Sequence, residues 1–426
     1  MEKLFLACGL KEYSYSDLIN DLNNMISYSP YIYVQENDPY EIFLRIIHSI
    51  LYQQSTVILD GDFSKYELER LGLNLIEVTK TYTIDNVKVY RSMHEVNEEI
   101  KNKVDWNVAL YTSGTTGKPK KITHKFDTIT RFVKQGEKYE KDVWAMCYNT
   151  THIAGIQVFF QSLFNKNSLI YAFNLGQIDL EKLIVKYGIT SISATPTYYR
   201  MVLSNFKEIH ENVKNITFGG EKFDQSLKIS IDQLFPNAKV TNVYATTEGG
   251  SLFSSRGEDF IVNSNISQLI RINELNELWL HKSLLGQSDH IHLDGDWYNT
   301  GDLVERVTEE LFRFVSRGNE MINVGGYKVN PIDVEAVIMQ VPGVLDCLVM
   351  GRENKITGQL IVVNVVKEKL VDDKILKQLI KAHASEHLQE WKVPRLINFV
   401  EEIKTTRTGK KARICSGLLS QGTPED

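Results

Sequence analysis

Short apolar segments that predict strands alternate with segments of helical periodicity through the first 220 residues. Ser55–Leu59, Val108–Tyr111 and Thr190–Ala194 are typical of buried strands, whereas Glu41–Leu51 and Leu180–Tyr187 space their apolar residues as helices do. Strands that alternate with helices favour parallel pairing with both sheet faces covered. The first part of the chain is therefore predicted to be α/β, with mostly parallel sheets.

The pattern changes twice further along the chain. Between Ile261 and Leu293 the helix signal disappears, and alternating segments such as Glu277–His281 predict a small antiparallel β region. After about residue 317, an Asn330-Pro331 helix start and new apolar strands indicate a second unit. We therefore expect a large N-terminal domain over residues 1–317 and a small, mobile α+β domain over residues 318–426.

Composition excludes several classes of protein. Lys and Arg number 48 against 54 Asp and Glu, a formal net charge of -6, so a nucleic-acid or membrane-surface partner is not expected. The four cysteines form no C-x-x-C pair, and no apolar run approaches the roughly 18 residues that span a bilayer. Only four apolar residues separate Lys3 from Cys8, too few for a secretory signal. A cytoplasmic protein is predicted.

A loop rich in glycine, hydroxyl groups and lysine follows the strand that ends near Tyr111. The segment Thr112–Lys120 contains two glycines, four hydroxyl side chains and two lysines, which are the groups that bind phosphate. It is not a Walker A loop, because Gly114 and Gly117 are too close and Pro119 replaces the magnesium-binding hydroxyl. Taken alone, such a run is more often a polar surface turn.

Five motifs in order carry a resemblance that the loop alone does not. The phosphate loop is followed by Tyr244-Ala245-Thr246-Thr247-Glu248, Tyr298-Asn299-Thr300-Gly301-Asp302, Ser316 through Val329, and Thr405-Thr406-Arg407-Thr408-Gly409-Lys410. In sequence, order and spacing this set resembles the adenylate-forming superfamily, which includes acyl- and aryl-CoA ligases. The resemblance covers residues 108 to 413 and implies a nucleotide site, a mobile C-terminal domain and a catalytic lysine.

The resemblance implies a role for each matched residue. Glu248 would bind Mg²⁺, Thr247 would contact the α-phosphate, and Lys410 would act in catalysis by approaching the reacting carboxylate and phosphate oxygens. The implied ATP-binding residues are Thr112, Ser113, Gly114, Thr115, Thr116, Gly117, Lys118 and Lys120 for the phosphates, Gly219, Gly220, Glu221 and Tyr244 for adenine, and Asp302 and Arg317 for the ribose.

Each of these residues has an ordinary alternative when it is taken alone. Glu248 is an exposed loop acid, Asp302 with Arg317 is a surface ion pair, and Tyr244 is a core aromatic residue. Lys410 is a solvated lysine in a basic tail. The ordered set of motifs favours the functional interpretation.

The superfamily's second step transfers the acyl group to a thiol after the small domain rotates. The resemblance places the hinge at Asn319 and a thiol tunnel at Gly325 and Gly326. Three residues depart from the family pattern, because Asn319 replaces Asp or Lys, Asn323 replaces Lys, and Lys121 replaces Gly.

The segment Thr151-His152-Ile153-Ala154-Gly155 resembles the His-x-x-Gly stretch of acyl- and aryl-CoA ligases, where the histidine lies near the carboxylate and counts as catalytic. A histidine beside an apolar run is more often structural, which is the alternative to this role. Enzymes of this superfamily that activate amino acids carry aspartate where Ile153 stands, so an amino-acid substrate is not expected. Phe159 and Tyr198 lie nearby in sequence and suit an aryl or medium acyl group.

The predicted activity is ATP- and Mg²⁺-dependent activation of a carboxylic acid as an acyl adenylate, with transfer to coenzyme A. One alternative acceptor is the phosphopantetheine of a carrier protein, which presents the same thiol arm. The third hypothesis, after these two enzymes, is a non-catalytic nucleotide-binding protein. The presence of both Glu248 and Lys410 argues against it.

Overall fold

The computed structural model describes residues 2–25, 30–84, 88–103, 105–112, 120–173, 179–203, 205–223, 225–262, 266–324, 327–354, 358–405 and 411–412. The strands are β1 (Leu4–Cys8), β2 (Lys11–Ser14), β3 (Tyr33–Glu36), β4 (Thr56–Asp60), β5 (Asn107–Thr112), β6 (Lys120–Lys125), β7 (Val143–Met146), β8 (Ser168–Tyr171), β9 (Ser191–Ala194), β10 (Asn215–Gly219), β11 (Lys239–Thr246), β12 (Gly250–Ser255), β13 (Asp259–Ile261), β14 (Ile270–Ile272), β15 (Glu277–His281), β16 (Trp297–Arg306), β17 (Leu311–Arg317), β18 (Ile322–Val324), β19 (Tyr327–Val329), β20 (Val344–Asn354), β21 (Gly358–Lys367) and β22 (Leu396–Phe399).

Helices connect most of the parallel strands, and several begin at residue types that favour helix N-caps. Ser14 caps the first helix in a capping box, Asp38 precedes Pro39 at the start of the second, and Asn330 precedes Pro331. The α-helices are α1 (Tyr15–Asn24), α2 (Pro39–Leu51), α3 (Lys65–Arg70), α4 (Leu75–Val78), α5 (Met93–Lys101), α6 (Phe126–Thr130), α7 (Ile153–Phe164), α8 (Leu180–Tyr187), α9 (Pro196–Leu203), α10 (Gln225–Leu234), α11 (Pro331–Ile338) and α12 (Asp373–His387).

An eight-stranded sheet forms the centre of the N-terminal part, in the order β12-β11-β10-β9-β7-β8-β1-β2. Its six inner strands run parallel, and the two edge strands are antiparallel to their neighbours. One face packs on α7 and α2 through residues such as Phe159 and Phe43, and the other packs on α8, α9 and α10. Helices on both faces explain the continuous apolar strands.

Two smaller sheets flank this centre. The four-stranded sheet β3-β4-β5-β6 is parallel except for β6, which forms a hairpin with β5. The five-stranded sheet β13-β17-β16-β15-β14 is antiparallel throughout. Its inner face buries Leu278, Leu280, Val304 and Phe312 in one apolar cluster. The predicted α/β class, with mostly parallel sheets and a small antiparallel region, is confirmed.

Residues beyond β17 form a separate sheet with its own core. The order is β19-β18-β21-β20, with β22 pairing parallel to β21, and α11 and α12 pack against it. On α12 the buried apolar residues are Leu376, Ile380 and Ala384, whereas Ile375 and Leu379 are exposed. The predicted α+β character of this region is confirmed. In the part of the chain that the structure describes, no helix is both long and apolar enough to cross a bilayer.

Candidate active site

The predicted phosphate loop connects β5 to β6. β5 ends at Thr112 and pairs there with Lys120, the first residue of β6. Ser113, Gly114, Thr115, Thr116, Gly117 and Lys118 lie outside the described residues, so their phosphate role stays a prediction. The hairpin nevertheless fixes both ends of the loop at one edge of the four-stranded sheet.

Glu248 lies in the turn between β11 and β12. The Thr246 hydroxyl accepts a hydrogen bond from the Gly249 amide at 2.9 Å, which closes the turn. From outside the turn, the Gly286 amide donates to the Glu248 carbonyl at 2.7 Å. The Glu248 carboxylate hydrogen-bonds the Tyr298 phenol, and burial followed by that charge raises the pKa of Tyr298. The turn is thus held by the Thr246 hydroxyl, by the Gly286 amide and by Tyr298 on β16.

The segment Gly286-Gln287 joins β6, the strand after the phosphate loop, to the Glu248 turn. Thr123 on β6 and Gln287 exchange two backbone hydrogen bonds, both at 2.8 Å. A β-carbon at Gly286 would lie 2.8 Å from the Thr123 carbonyl oxygen, so this approach requires glycine. Burial lowers the pKa of the adjacent His124 to about 4, which keeps its imidazole neutral. The two predicted phosphate-binding elements are therefore mechanically connected.

The predicted ribose residues form a triad with Tyr244 that is joined by one hydrogen bond and one ion pair. The Tyr244 hydroxyl donates to Asp302 Oδ2 at 2.5 Å, and Arg317 Nε lies 3.0 Å from Asp302 Oδ1. The Asp302 side chain is only 2% exposed, whereas that of Arg317 is 38% exposed. Burial, and then the Asp302 charge, raise the pKa of Tyr244 well above its usual value, so the phenol stays a donor.

The Tyr244 ring is itself buried in an aromatic cluster. Phe253, Phe260, Phe312 and Phe314 surround it at centroid distances of 5.6 to 6.5 Å. The Tyr244 ring is therefore a core aromatic residue, as the alternative interpretation expected, while the hydroxyl of the same side chain orients Asp302. Its predicted stacking on adenine stays a prediction.

The Gly219-Gly220-Glu221 segment follows β10 and faces the start of α9. Glu221 Oε2 accepts hydrogen bonds from the Thr197 amide at 3.1 Å and the Thr197 hydroxyl at 2.8 Å. The carboxylate thus accepts a hydrogen bond from a backbone amide in the first turn of α9, which has no partner within the helix. Gly220 has φ of +83°, a conformation that favours glycine. Both glycines border the cavity described below.

His152 caps α7, and a tightly bonded loop presents it. Its Nδ1 accepts from the Ala154 amide at 3.3 Å, and its own amide donates to the Asn149 carbonyl at 3.1 Å. The β-carbon of any residue larger than glycine at position 155 would lie 2.4 Å from that same carbonyl oxygen. The glycine of the His-x-x-Gly stretch is therefore a steric requirement of the loop.

Asp60, at the end of β4, ties this loop to the four-stranded sheet. Its Oδ1 accepts hydrogen bonds from the Thr151 hydroxyl and, at 3.3 Å, from Asn149 Nδ2. No local pattern in the sequence identified Asp60 as a site residue, because its partners lie about 90 positions away. It is a positioning residue for the histidine loop.

A cavity of about 150 Å³ lies between α7 and the central sheet. His152 and Thr247 lie at its border together with Gly219 and Gly220. The remaining lining residues are Ile129, Phe132, Val133, Trp144, Tyr148, Ile153, Ala154, Gln157, Val158, Gln161, Ser193, Thr195, Thr217, Val243, Ala245, Thr246 and Ser251.

Most of these lining residues were missed by sequence reasoning. The signal available was the spacing of Ile153, Gln157 and Gln161 on α7, which puts them on one helix face behind His152. Phe159 and Tyr198 are not among the described lining residues. Phe159 stacks on Phe43 with ring centroids 4.1 Å apart, and the Tyr198 hydroxyl donates to the Ala172 carbonyl.

The hinge and the catalytic-lysine loop are described only in part. Asn319 lies in a short 3₁₀ turn, Gly318–Glu320, directly after Arg317. Gly325, Gly326 and Lys410 lie outside the described residues, and their roles stay predictions. Beside Lys410, Lys411 donates to Asp346 Oδ1 and to the Cys347 carbonyl, both at 2.6 Å.

Lys411 anchors the lysine loop to the C-terminal sheet. Its side chain is 10% exposed and that of Asp346 is 12% exposed, so this ion pair is nearly buried. Thr405 and Lys411 also form a backbone bridge. Lys411 is thus not a solvated lysine, although it lies beside Lys410 in the basic tail.

The residues present fit a magnesium ion only together with a phosphate ligand. Among the described residues, no group of three or more His, Cys, Asp and Glu side chains could hold a metal. Mg²⁺ in nucleotide sites takes one or two carboxylates plus phosphate oxygens and water. Glu248 carries one carboxylate of this kind, and its magnesium role stays a prediction.

Comparison with known families matches most of this chain. The AMP-binding enzyme family model matches residues 51–270, and the AMP-binding enzyme C-terminal domain model matches residues 333–410. The two matched segments contain the Glu248 turn, the His152 loop and the Lys410 loop.

Individual relatives are distant in sequence. A 4-coumarate–CoA ligase-like 3 of Arabidopsis thaliana is 24% identical over 396 residues, covering 84% of this chain and 70% of that protein. A 2-succinylbenzoate–CoA ligase of Listeria monocytogenes is 24% identical over 326 residues, covering 71% and 68% respectively. A solved o-succinylbenzoate CoA synthetase from Bacillus subtilis, with its acyl-adenylate intermediate, superposes with a TM-score of 0.69 at 18% identity, covering 100% of this chain and 96% of that one. This likeness shows the fold.

Proposed function

Because this chain belongs to the AMP-binding enzyme family, we propose that it is an AMP-forming acid–thiol ligase that joins a carboxylic acid to coenzyme A. The observation that carries the proposal is the convergence of three elements on one cavity. Thr247 of the Glu248 turn, the Gly219-Gly220 segment and the His152 loop all border it. The strand of Tyr244 then leads from this cavity to the Asp302–Arg317 pair.

In the first step, a carboxylate oxygen of the acid attacks the α-phosphorus of ATP, and the bond to the pyrophosphate oxygen breaks. Two anions must meet, so their charge must be neutralised where it develops. Mg²⁺ bound by Glu248 would supply positive charge to the phosphate oxygens. Asp302 accepts hydrogen bonds from the ribose hydroxyls, and Arg317 donates to the same sugar. Tyr244 orients Asp302 for that contact.

The phosphate loop Thr112–Gly117, with Lys118 and Lys120, holds the β- and γ-phosphates in this proposal. Thr247 contacts the α-phosphate, and Lys410 brings an ammonium to the reacting oxygens. The fixed hairpin ends at Thr112 and Lys120 support the first assignment. The anchoring of the neighbouring Lys411 supports a defined base for the lysine loop.

In the second step, the thiol sulfur attacks the acyl carbon, AMP leaves with the bonding electron pair, and the thiol proton is released. We assign residues 1–317 to the N-terminal domain and residues 318–426 to a mobile domain that rotates about Asn319 between the steps. Gly325 and Gly326 line the thiol tunnel, and His152 lies beside the acyl carbon. A cytoplasmic location, expected from the cysteine pattern, stays a prediction.

Pyrophosphate exchange into ATP tests the first step. The full chain is assayed over aryl, fatty and amino acids, with Lys410→Ala beside Lys404→Ala, an exposed lysine just before the same loop. We expect exchange to fall by about 100- to 1000-fold for Lys410→Ala, the size measured for removing one stabilising donor, and to stay unchanged for Lys404→Ala. Equal exchange in both variants would remove Lys410 from its role.

A second assay separates the two thiol acceptors. Preformed acyl adenylate on the enzyme is mixed with free coenzyme A or with a phosphopantetheinylated carrier protein. Rapid release of AMP with free coenzyme A is expected. Release with the carrier protein alone would establish the alternative function, a carrier-loading enzyme.

A further inference from the structure

The cavity beside His152 has the size of a single ring. Its volume of about 150 Å³ equals that of an engineered apolar protein cavity, roughly 150 Å³, which binds benzene. Pockets for drug-sized ligands are larger, at about 300–1,000 Å³. The space beside His152 and Thr247 therefore has the size that accommodates one ring.

Apart from His152, the described lining residues of the cavity are of uncharged types. Among its described lining residues there is no Asp, Glu, Lys or Arg, and His152 lies at the border with Thr247. A second carboxylate or an ammonium group on the substrate would be buried there without a counter-ion, which is strongly unfavourable. The lining thus selects against dicarboxylic acids and amino acids.

The two glutamine side chains of the wall are already bonded to other protein groups. Gln157 Oε1 accepts from the Ser251 hydroxyl at 2.8 Å, and Gln157 Nε2 donates to the Ile129 carbonyl at 3.4 Å. Gln161 exchanges two hydrogen bonds with the Lys134 backbone, at 2.8 and 2.9 Å.

The Tyr148 phenol and the Ser193 hydroxyl also hydrogen-bond each other. A substrate would have to break such bonds to use these groups as partners. The wall therefore offers mainly hydrocarbon, together with the aromatic rings of Phe132, Trp144 and Tyr148.

We propose that the acid this chain activates is a compact monocarboxylic acid with one uncharged ring next to the carboxyl group, the benzoic-acid class. The inference rests on the proposed function and names its substrate class. The carboxylate lies at the His152 and Thr247 border, and the ring lies between α7 and the sheet against Val158 and Tyr148.

Substrate selectivity in pyrophosphate exchange tests this assignment. The full chain is assayed with benzoate, 2-succinylbenzoate, 4-coumarate, phenylalanine and 3-methylbutanoate. We expect kcat/KM for benzoate to exceed that for each of the others, by about 100-fold for 2-succinylbenzoate because its second carboxylate has no partner. An acid-independent background is subtracted with enzyme alone.

A matched pair of variants tests the location. Val158→Ala enlarges the cavity, whereas Val185→Ala shortens an exposed side chain on α8. We expect Val158→Ala to raise kcat/KM for 4-methylbenzoate relative to benzoate by about tenfold, the effect of one methyl-sized space. Val185→Ala should leave this ratio unchanged.

The outcomes separate the two proposals. Exchange that is faster with 2-succinylbenzoate, 4-coumarate, phenylalanine or 3-methylbutanoate than with benzoate overturns the ring assignment and leaves the ligase function standing. An unchanged 4-methylbenzoate ratio in Val158→Ala overturns the location of the ring. Absence of exchange with every acid overturns the proposed function itself.

Discussion

The two ends of the candidate active site hold their side chains by different kinds of contact. At the nucleotide end, Tyr244, Asp302 and Arg317 are joined by a buried hydroxyl–carboxylate bond and an ion pair. At the proposed acid end, the described wall is mostly apolar, and Gln157 and Gln161 on it bond Ser251 and the backbone. The first end can recognise a fixed polar ligand by hydrogen bonds, and the second selects by volume and by excluding charge.

The two ends also depend on different features of the surrounding protein. The nucleotide end depends on groups that must keep their charge, so a single deletion leaves a buried partner unsatisfied. The acid end depends on the path of a loop, since Gly155 and Asp60 set where His152 lies. Substitutions at the two ends should therefore affect different substrates.

Among the substitutions that compare the two ends, the largest effect is expected from Asp302→Ala. Removing this carboxylate deletes charged hydrogen bonds, each about 1.5–3 kcal/mol, so the KM for ATP should rise by about 100-fold while the KM for the acid changes little. The free energy of unfolding should fall by about 2–3 kcal/mol, because the Tyr244 hydroxyl loses its buried acceptor. Steady-state kinetics and urea denaturation measure both quantities. Asp289→Ala, at an exposed position, serves as the control; equal ATP KM values in the two variants would contradict the nucleotide role.

Gly155→Ala should come next and should act at the other end. The new methyl group would meet the Asn149 carbonyl at 2.4 Å, and such overpacking costs about 1–3 kcal/mol. We expect the acid KM to rise and the ATP KM to stay constant. Gly257→Ala is the matched control, since a β-carbon there has no neighbour within 4 Å. If Gly155→Ala raises the ATP KM and leaves the acid KM unchanged, the proposed separation of the two ends is wrong.

Tyr244→Phe is a smaller change at the nucleotide end. It keeps the ring in its aromatic cluster and removes the hydrogen bond to Asp302, worth about 1 kcal/mol. The ATP KM should rise about fivefold, as measured by initial rates at saturating acid. Tyr199→Phe also loses buried hydrogen bonds, but to backbone carbonyls. It should lower stability without changing the ATP KM.

The smallest effect is expected from Thr151→Val. This isosteric change removes the hydroxyl that donates to Asp60, but the Asn149 side-chain amide still donates to the same carboxylate oxygen and limits the displacement of the loop. The acid KM should rise about two- to threefold, and Thr151→Ser should restore it because the hydroxyl returns. If valine and serine give the same acid KM, Asp60 does not position the histidine loop through this bond.

The elements of the fold were largely predictable because they depend on local patterns. The helix α8 was predicted at Leu180–Tyr187 and observed there, and the capped start at Asn330 was also found. The strand predicted at Ser55–Leu59 lies at Thr56–Asp60. Apolar periodicity and capping residues act over a few neighbours, so a single sequence records them.

The chemical groups of the site were also predictable, but their surroundings were not. The motif order indicated Glu248, Asp302 and Arg317 as candidates whose roles stay predictions, and the structure brings Asp302 and Arg317 together. It did not predict that the Tyr244 ring is enclosed by phenylalanines, or that Lys411 forms a nearly buried pair with Asp346. Those contacts join residues that are distant in sequence.

By itself, the sequence determined the α/β class, the order of the motifs and the family to which this chain belongs, because strand and helix signals and short motifs are local. Only the tertiary structure decided the volume of the acid cavity, the absence of charge among its described lining residues and the tie from Asp60 to the histidine loop. These properties arise where β4, α7 and the central sheet meet, and no stretch of neighbouring residues contains all of their parts.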